Sequence, residues 1–195
     1  MLPMPNEAER PVDPGTVAKR LARALDERKT EYALGGAIAL GFWAQPRGTM
    51  DVDLNLFMAK DKHSEVIWEL QDIGCDVSAT KAVASLREHG FCRATFASWR
   101  VDVFIPTIPF YEQAKARRKR VYLGDQQVTV LDAESLAVFK MMFFRPQDIV
   151  DLREILRIQG PAFDRSWVRD QLLDIVGQRD PRIAQWDELI SEGVP

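Results

Sequence analysis

The stretch from Tyr32 to Leu56 constrains this chain more than any other. Tyr32-Ala33-Leu34 is a short apolar run ending in Gly35-Gly36, and it reads as a strand. Residues 37–43 are small and aromatic and read as a helix, closed by Gln45-Pro46. After a loop over 47–50, Val52, Leu54 and Leu56 alternate with Asp51, Asp53 and Asn55, the period-two signature of a strand. That alternation puts Asp51 and Asp53 on one face, about 7 Å apart along the strand. A third strand, Arg100-Val101-Asp102-Val103-Phe104, carries one acidic residue between apolar neighbours. Laid beside the 52–57 strand, it brings Asp102 to the other two carboxylates.

Three gathered carboxylates repel one another and stay ionised only where a cation offsets their charge. Oxygen-only ligands suit Mg²⁺ or Mn²⁺. Two such ions about 4 Å apart clamp the attacking and leaving oxygens of a phosphoryl displacement. The glycines serve the other end of such a substrate. With no side chains, the backbone N–H groups at a helix start approach a triphosphate closely, and the helix dipole favours its charge. Each piece alone is commonplace, a turn or a solvated strand edge. The order strand, Gly-Gly, helix, Asp-x-Asp, strand, Asp is what carries the reading.

In that order the sequence resembles the nucleotidyltransferase superfamily, the polymerase-β-like fold, through Leu34-Gly35-Gly36, Asp51-Val52-Asp53 and Val101-Asp102-Val103. The wording of 31–57 looks most like the AbiEii/AbiGii-type toxin branch, whose Arg-x-Thr/Ser-x-Asp-h-Asp pattern is filled by Arg47, Thr49, Asp51 and Asp53. Downstream, Lys140, Arg145, Asp148 and Asp151 match a Lys, Arg, Asp-h-x-Asp pattern of the same branch; the resemblance covers roughly 30–158. It implies that Asp51, Asp53 and Asp102 hold the metals, and that Asp102 also orients or deprotonates the acceptor hydroxyl. It implies that Gly35 and Gly36 cradle the outer phosphates of a nucleoside triphosphate (NTP). Gly36 stands where many members carry Ser, so a hydroxyl contact to phosphate is lost.

Other positions leave two readings each. Arg47 and Thr49 contact phosphate or belong to a loop salt bridge. Lys140 lies among Leu136, Val138, Phe139, Met141 and Met142 and needs an anionic partner, a triphosphate or otherwise, unless it snorkels to water. Arg145 and Asp148 are placed with the nucleotide-binding residues as an i,i+3 pair bracing the site, and Asp151 is structural or an N-terminal-turn charge. Lys115, Arg117, Arg118, Lys119 and Arg120 are the one dense positive run, either an acceptor or RNA contact or a solvated helix end. The Phe143-Phe144 pair and the tryptophans read as core. His63 and His89 receive no role.

The expected fold class is α/β (α+β), a mixed-sheet nucleotidyltransferase core over 1–131 with an N-terminal helix. Helices over 132–195 complete the cleft. Those last residues hold 8 Lys/Arg against 12 Asp/Glu. Residues 1–13 read as a loose leader, and Asp13-Pro14 opens a helix. Strands over 91–98 and 100–105 join at Trp99, a helix spans 108–119, and Gly124-Asp125 turns a hairpin.

Composition excludes several classes. With 46% hydrophobic and 28% charged residues and a net charge of −3, the 195-residue chain is neither disordered nor a generally basic nucleic-acid binder. Two cysteines, Cys75 and Cys92, with no CxxC pair, offer neither a disulfide framework nor a structural zinc site. The absence of an 18-residue apolar stretch and of a signal-peptide pattern gives a cytoplasmic protein with no membrane partner as the expectation.

The function expected is a Mg²⁺-dependent enzyme that moves a nucleoside monophosphate from an NTP to an acceptor and releases pyrophosphate. Within the resembled branch it is a toxin acting on the 3′ end of tRNA, with an antitoxin protein as partner. The alternatives are an antibiotic-modifying transferase acting on an aminoglycoside, a protein hydroxyl as acceptor, and a non-catalytic nucleotide-binding module.

Overall fold

The computed structural model describes residues 13–59 and 61–192; most of the expected leader lies outside them. Helix α1 (Pro14–Glu27) opens as its sequence dictates: the Asp13 side chain accepts from the Thr16 amide, and Pro14 occupies the first turn. One face, including Val17, Leu21 and Leu25, is wholly buried. Strand β1 (Tyr32–Leu34) then runs into helix α2 (Gly36–Trp43), and β2 (Asp51–Leu56) returns antiparallel to β1, with Leu34 opposite Leu54. Helices α3 (His63–Asp72) and α4 (Ala79–His89) lead to the hairpin β3 (Phe91–Phe96) and β4 (Trp99–Phe104).

That hairpin turns on Ala97-Ser98, not at Trp99. Both residues have positive φ, 49° and 70°, the conformation of a type I′ turn whose twist matches the strands, and Trp99 is the first residue of β4. A second correction concerns the basic run. Helix α5 (Phe110–Arg117) stops before it is complete, and Arg118 turns extended at ψ 149°. Lys119 and Arg120 therefore begin strand β5 (Lys119–Leu123), which pairs through Gly124-Asp125 with β6 (Gln126–Val130). From there the chain is helical: α6 (Ala133–Phe143), α7 (Pro146–Gln159), α8 (Arg165–Val176) and α9 (Pro181–Ser191).

The strands form one mixed sheet in the order β3-β4-β2-β1-β6-β5. β4 lies parallel to β2, and β6 parallel to β1. The register of β2 on β4 sets Asp51 opposite Arg100 and Asp53 opposite Asp102. The apolar residues between them, Val52, Leu54, Val101 and Val103, point the other way and are fully buried. Alternation along two parallel strands thus turns the carboxylates to one face and the apolar residues to the core. The buried cluster continues through α6, α7 and the C-terminal helices to Trp186.

Leu54 sits at the centre of this arrangement, between the site and the core. Leu54→Ala is expected to destabilise the fold by about 2–5 kcal/mol, read as a lowered denaturation midpoint with an unchanged denaturant slope.

Candidate active site

The site is built at the point where β1 ends. The Gly35 amide donates to the Asp53 carbonyl at 2.9 Å, so the turn is docked on β2 by the backbone itself. Gly36 has φ +50°, a conformation open to glycine, and a Cβ there would lie 1.6 Å from Asp53 Oδ2. The missing Ser side chain at this position therefore has a steric reason: the Asp53 carboxylate occupies its place. Beneath the turn, Asn55 is buried and its amide donates to the Ala33 carbonyl at 3.3 Å.

Asp53 stands at the focus. Burial, then the charge of Asp102, push its carboxyl up to about 6, while Lys140, Arg145 and Arg47 pull the other way. A carboxyl that holds its proton more tightly in the folded chain than in the unfolded one costs stability as pH rises through that interval. Asp102 receives Arg93 Nε at 3.3 Å and Arg100 Nε at 3.5 Å. Asp51 accepts from the Thr49 hydroxyl at 2.7 Å and is paired with Arg100. Among the described residues no group of three or more His, Cys, Asp or Glu side chains is drawn together as a ready metal cage. The donor set nevertheless fits a hard divalent cation. Asp53 and Asp102 are register partners whose mutual repulsion raises the pKa of Asp53, and a cation shared by them would offset both charges.

Lys140 lies behind Asp53 and is almost fully buried. Its ammonium reaches Asp151 at 2.5 Å and Asp148 at 3.4 Å. Arg47 forms a two-pronged pair with the same Asp151, at 3.0 and 2.9 Å, so it is held in a salt bridge from the loop before β2 to α7. Arg145 caps α7 and grips Asp148 at 2.7 Å, the expected i,i+3 pair. Burial raises the Asp151 pKa, but hydrogen bonds from Arg47, Lys140 and Gln147 outweigh it and hold the carboxyl below its usual range.

The structure does not gather the basic run on the carboxylates. Lys115 and Arg118 pair with Glu31, and Arg120 with Asp26, at the end of β1 away from Gly35. Arg117 binds Asp132 and Glu134 and lies 4.1 Å over the Trp167 ring. Lys119 is exposed on β5. Phe143 and Trp68 depart from the core role expected of them, while Trp43, Trp99 and Trp167 pack against the core half-buried. Phe143 is 46% exposed where α6 ends in the left-handed Phe144, and Trp68 is 62% exposed; Trp186 alone among the tryptophans is fully buried.

Sequence reading passed over Arg93, Phe91 and Phe104. Their signal is the hairpin register: Arg93 stands opposite Asp102, and Phe91 opposite Phe104.

No protein-family model matches the chain, and no curated protein matches it in sequence. Solved structures share its fold. An antigenic nucleotidyltransferase-like protein from Paracoccidioides brasiliensis is 19% identical, with TM-score 0.53 over 91% of this chain and 93% of its own. The antibiotic-resistance factor ANT(2'')-Ia is 13% identical in its solution structure, with TM-score 0.57 over 92% of this chain and 97% of its own. A crystal structure of ANT(2'')-Ia with adenylyl-2''-tobramycin is 15% identical, with TM-score 0.53 over 89% and 97%. The chain thus has the fold of nucleotidyltransferases.

Asp151→Asn removes the anion that faces both Lys140 and Arg47. A loss of about 3 kcal/mol at neutral pH is expected. Because the folded pKa of Asp151 is depressed, the stability it contributes is full above the ordinary carboxylate range and fades as pH falls through the folded value. Denaturation midpoints of the two proteins should therefore converge on acidification. A difference that widens in acid contradicts this account.

Proposed function

We propose that the chain is a metal-dependent nucleotidyltransferase that moves a nucleoside monophosphate from an NTP to an acceptor hydroxyl. The observation that carries this reading is the Gly35-Gly36 turn pressed on Asp53, with Asp102 beside it, in a fold shared with nucleotidyltransferases. The amides at the start of α2 bind the outer phosphates, since no side chain separates them from the ligand and the helix dipole favours the charge. Lys140 and Arg145 line the same small cavity as Gly35 and Gly36 and add positive potential there. Asp53 and Asp102, joined by Asp51 once it leaves Arg100, would hold Mg²⁺ or Mn²⁺. Such an ion neutralises phosphate charge and steadies the attacking and leaving oxygens. Asp102 orients the acceptor hydroxyl and takes its proton. The acceptor oxygen forms a bond to the α-phosphorus, the bond from that phosphorus to the bridging oxygen of the β-phosphate breaks, and pyrophosphate leaves.

The reading has two finer forms. A small-molecule acceptor, as in antibiotic modification, is supported by the cleft that opens beside Asp102. A tRNA-directed toxin with an antitoxin partner is supported by the arginines around the carboxylates, Arg47, Arg93, Arg100 and Arg145. It draws no support from the 115–120 run, whose Lys115, Arg118 and Arg120 pair with Glu31 and Asp26, away from Asp51, Asp53 and Asp102.

Asp102→Asn is expected to lower turnover by roughly 10²–10⁴-fold, the range for losing a positioned proton acceptor, measured as Mg²⁺-dependent pyrophosphate release with each NTP. Bound NTP with no release in the unaltered protein would instead identify a non-catalytic nucleotide-binding module. Gly36→Ser is expected to weaken NTP binding, because the new side chain collides with Asp53. Titration of NTP against both proteins checks it, and tighter binding by the variant overturns this role for the turn.

A further inference from the structure

Two cavities meet at Asp53 and share Phe104, Phe143 and Arg145 between them. One is small and lies between the glycine turn and Lys140, Arg145 and Asp148. The other is an open cleft of about 460 Å³ that starts at Asp53 and Asp102 and runs outward past β3 and β4. The size of this cleft suits a small molecule. In phosphoryl displacement the attacking and leaving oxygens lie roughly in line through phosphorus. With the outer phosphates at the glycines on β1, the leaving side is fixed. The attacking hydroxyl must then come from the opposite side, across β2 and β4 in the sheet order, which is where the larger cleft opens.

The chemistry of that cleft is specific. Phe91, Phe104 and Phe143 form a continuous aromatic wall, with ring centroids 5.1 and 5.6 Å apart along it. Met142 and Ile108 extend its apolar surface. Each end of the wall carries a guanidinium: Arg93 lies 5.6 Å from the Phe91 ring centre and Arg145 lies 5.0 Å from that of Phe143. The only carboxylates among the described residues lining the cleft are Asp53 and Asp102, which the reaction itself employs. A polycationic acceptor would meet two guanidiniums, each already paired with a carboxylate, and no spare anion among the described lining residues, so nothing here draws it in. A polynucleotide would find phosphate-binding arginines at the rim but an apolar wall within.

We infer that this cleft is the acceptor site, and that its acceptor is a small alcohol on a flat apolar body without clustered positive charge. The inference rests on the nucleotidyl-transfer reading for its direction of attack. The aromatic wall supplies stacking area for a planar group, while Thr107 and His89 offer hydrogen bonds for its polar substituents.

The test uses the whole chain and three probes: a neutral aryl glycoside (para-nitrophenyl glucoside), tobramycin and total tRNA. Calorimetric binding of each is measured first, without NTP, and transfer of radiolabelled nucleoside monophosphate second. Binding of the aryl glycoside and not of tobramycin is expected, with label passing to the glycoside. Phe143→Asp removes one panel of the wall and adds an anion at an exposed position. It should weaken glycoside binding by about tenfold, the size of a lost aromatic contact, and create tobramycin binding. Phe143→Leu should retain most of the glycoside affinity. No glycoside binding, or glycoside binding indifferent to Phe143→Asp, overturns the inference. Label on tRNA or tobramycin with none on the glycoside overturns it too, while upholding nucleotidyl transfer. Glycoside binding lost in Phe143→Asp, with no pyrophosphate released from any NTP, upholds the ligand class and overturns the transfer reading.

Discussion

The structure depends on a buried ammonium. Lys140 sits on a helix whose other neighbours are core, and a lysine there is tolerated only if its charge is met. Asp148 and Asp151, both on α7, meet it. That single requirement fixes how α7 lies on α6. It also recruits Arg47, because Asp151 has oxygens enough for two cations. The loop before β2 is thereby fastened to α7, and β2 is the strand that carries Asp51 and Asp53. The position of the candidate active site thus follows from satisfying one charge some distance along the chain from it.

The ionic arrangement also sets the potential at the site. Around Lys140 there are three cations, counting Arg47 and Arg145, and two carboxylates. The surplus positive charge faces Asp53, which burial and Asp102 make reluctant to ionise. Asp51 and Asp102 are met instead by Arg93 and Arg100 from the hairpin. A divalent cation held by Asp53 and Asp102 would compete with these arginines for carboxylate oxygens, and a guanidinium so freed would be open to an anionic partner.

Much of this was legible in the sequence, for a definite reason. Short-range patterns specify the carboxylate-bearing strands: alternation sets Asp51 and Asp53 on one face, and the glycine pair marks the turn. Even Asp102 was placed, because an acid between two valines on a strand has one face available. Lys140 was recognised as needing an anion, yet its partners were not, since nothing local distinguishes Asp151 from a solvated helix acid. The Arg47–Asp151 pair spans 104 residues, a pairing that only the packing of α7 creates. The basic run misled because consecutive charges look like one patch. A helix end followed at once by a strand distributes them: Lys115 and Arg118 go to Glu31, Arg117 to Asp132, and Arg120 to Asp26. Phe143 misled in the opposite sense, because an apolar residue beside core residues joins the core only if the helix continues, and here it ends.

The two sides of Asp53 share Phe104, Phe143 and Arg145 but differ at their far ends. Toward β1 lie the glycine amides and the Lys140 ammonium, which would suit a multiply charged leaving group. Toward β3 lie Phe91, Arg93 and Asp102, the carboxylate that on the proposed reading would receive a hydroxyl proton. Water is a poor competitor on that side, since an apolar wall offers it few hydrogen bonds. On the proposed reading, a hydroxyl carried on an apolar body would enter with its reactive oxygen directed at Asp102 by the burial of the rest. Orientation of that kind is where binding energy is converted into rate, because an acceptor held in line has already lost the freedom that a collision would cost.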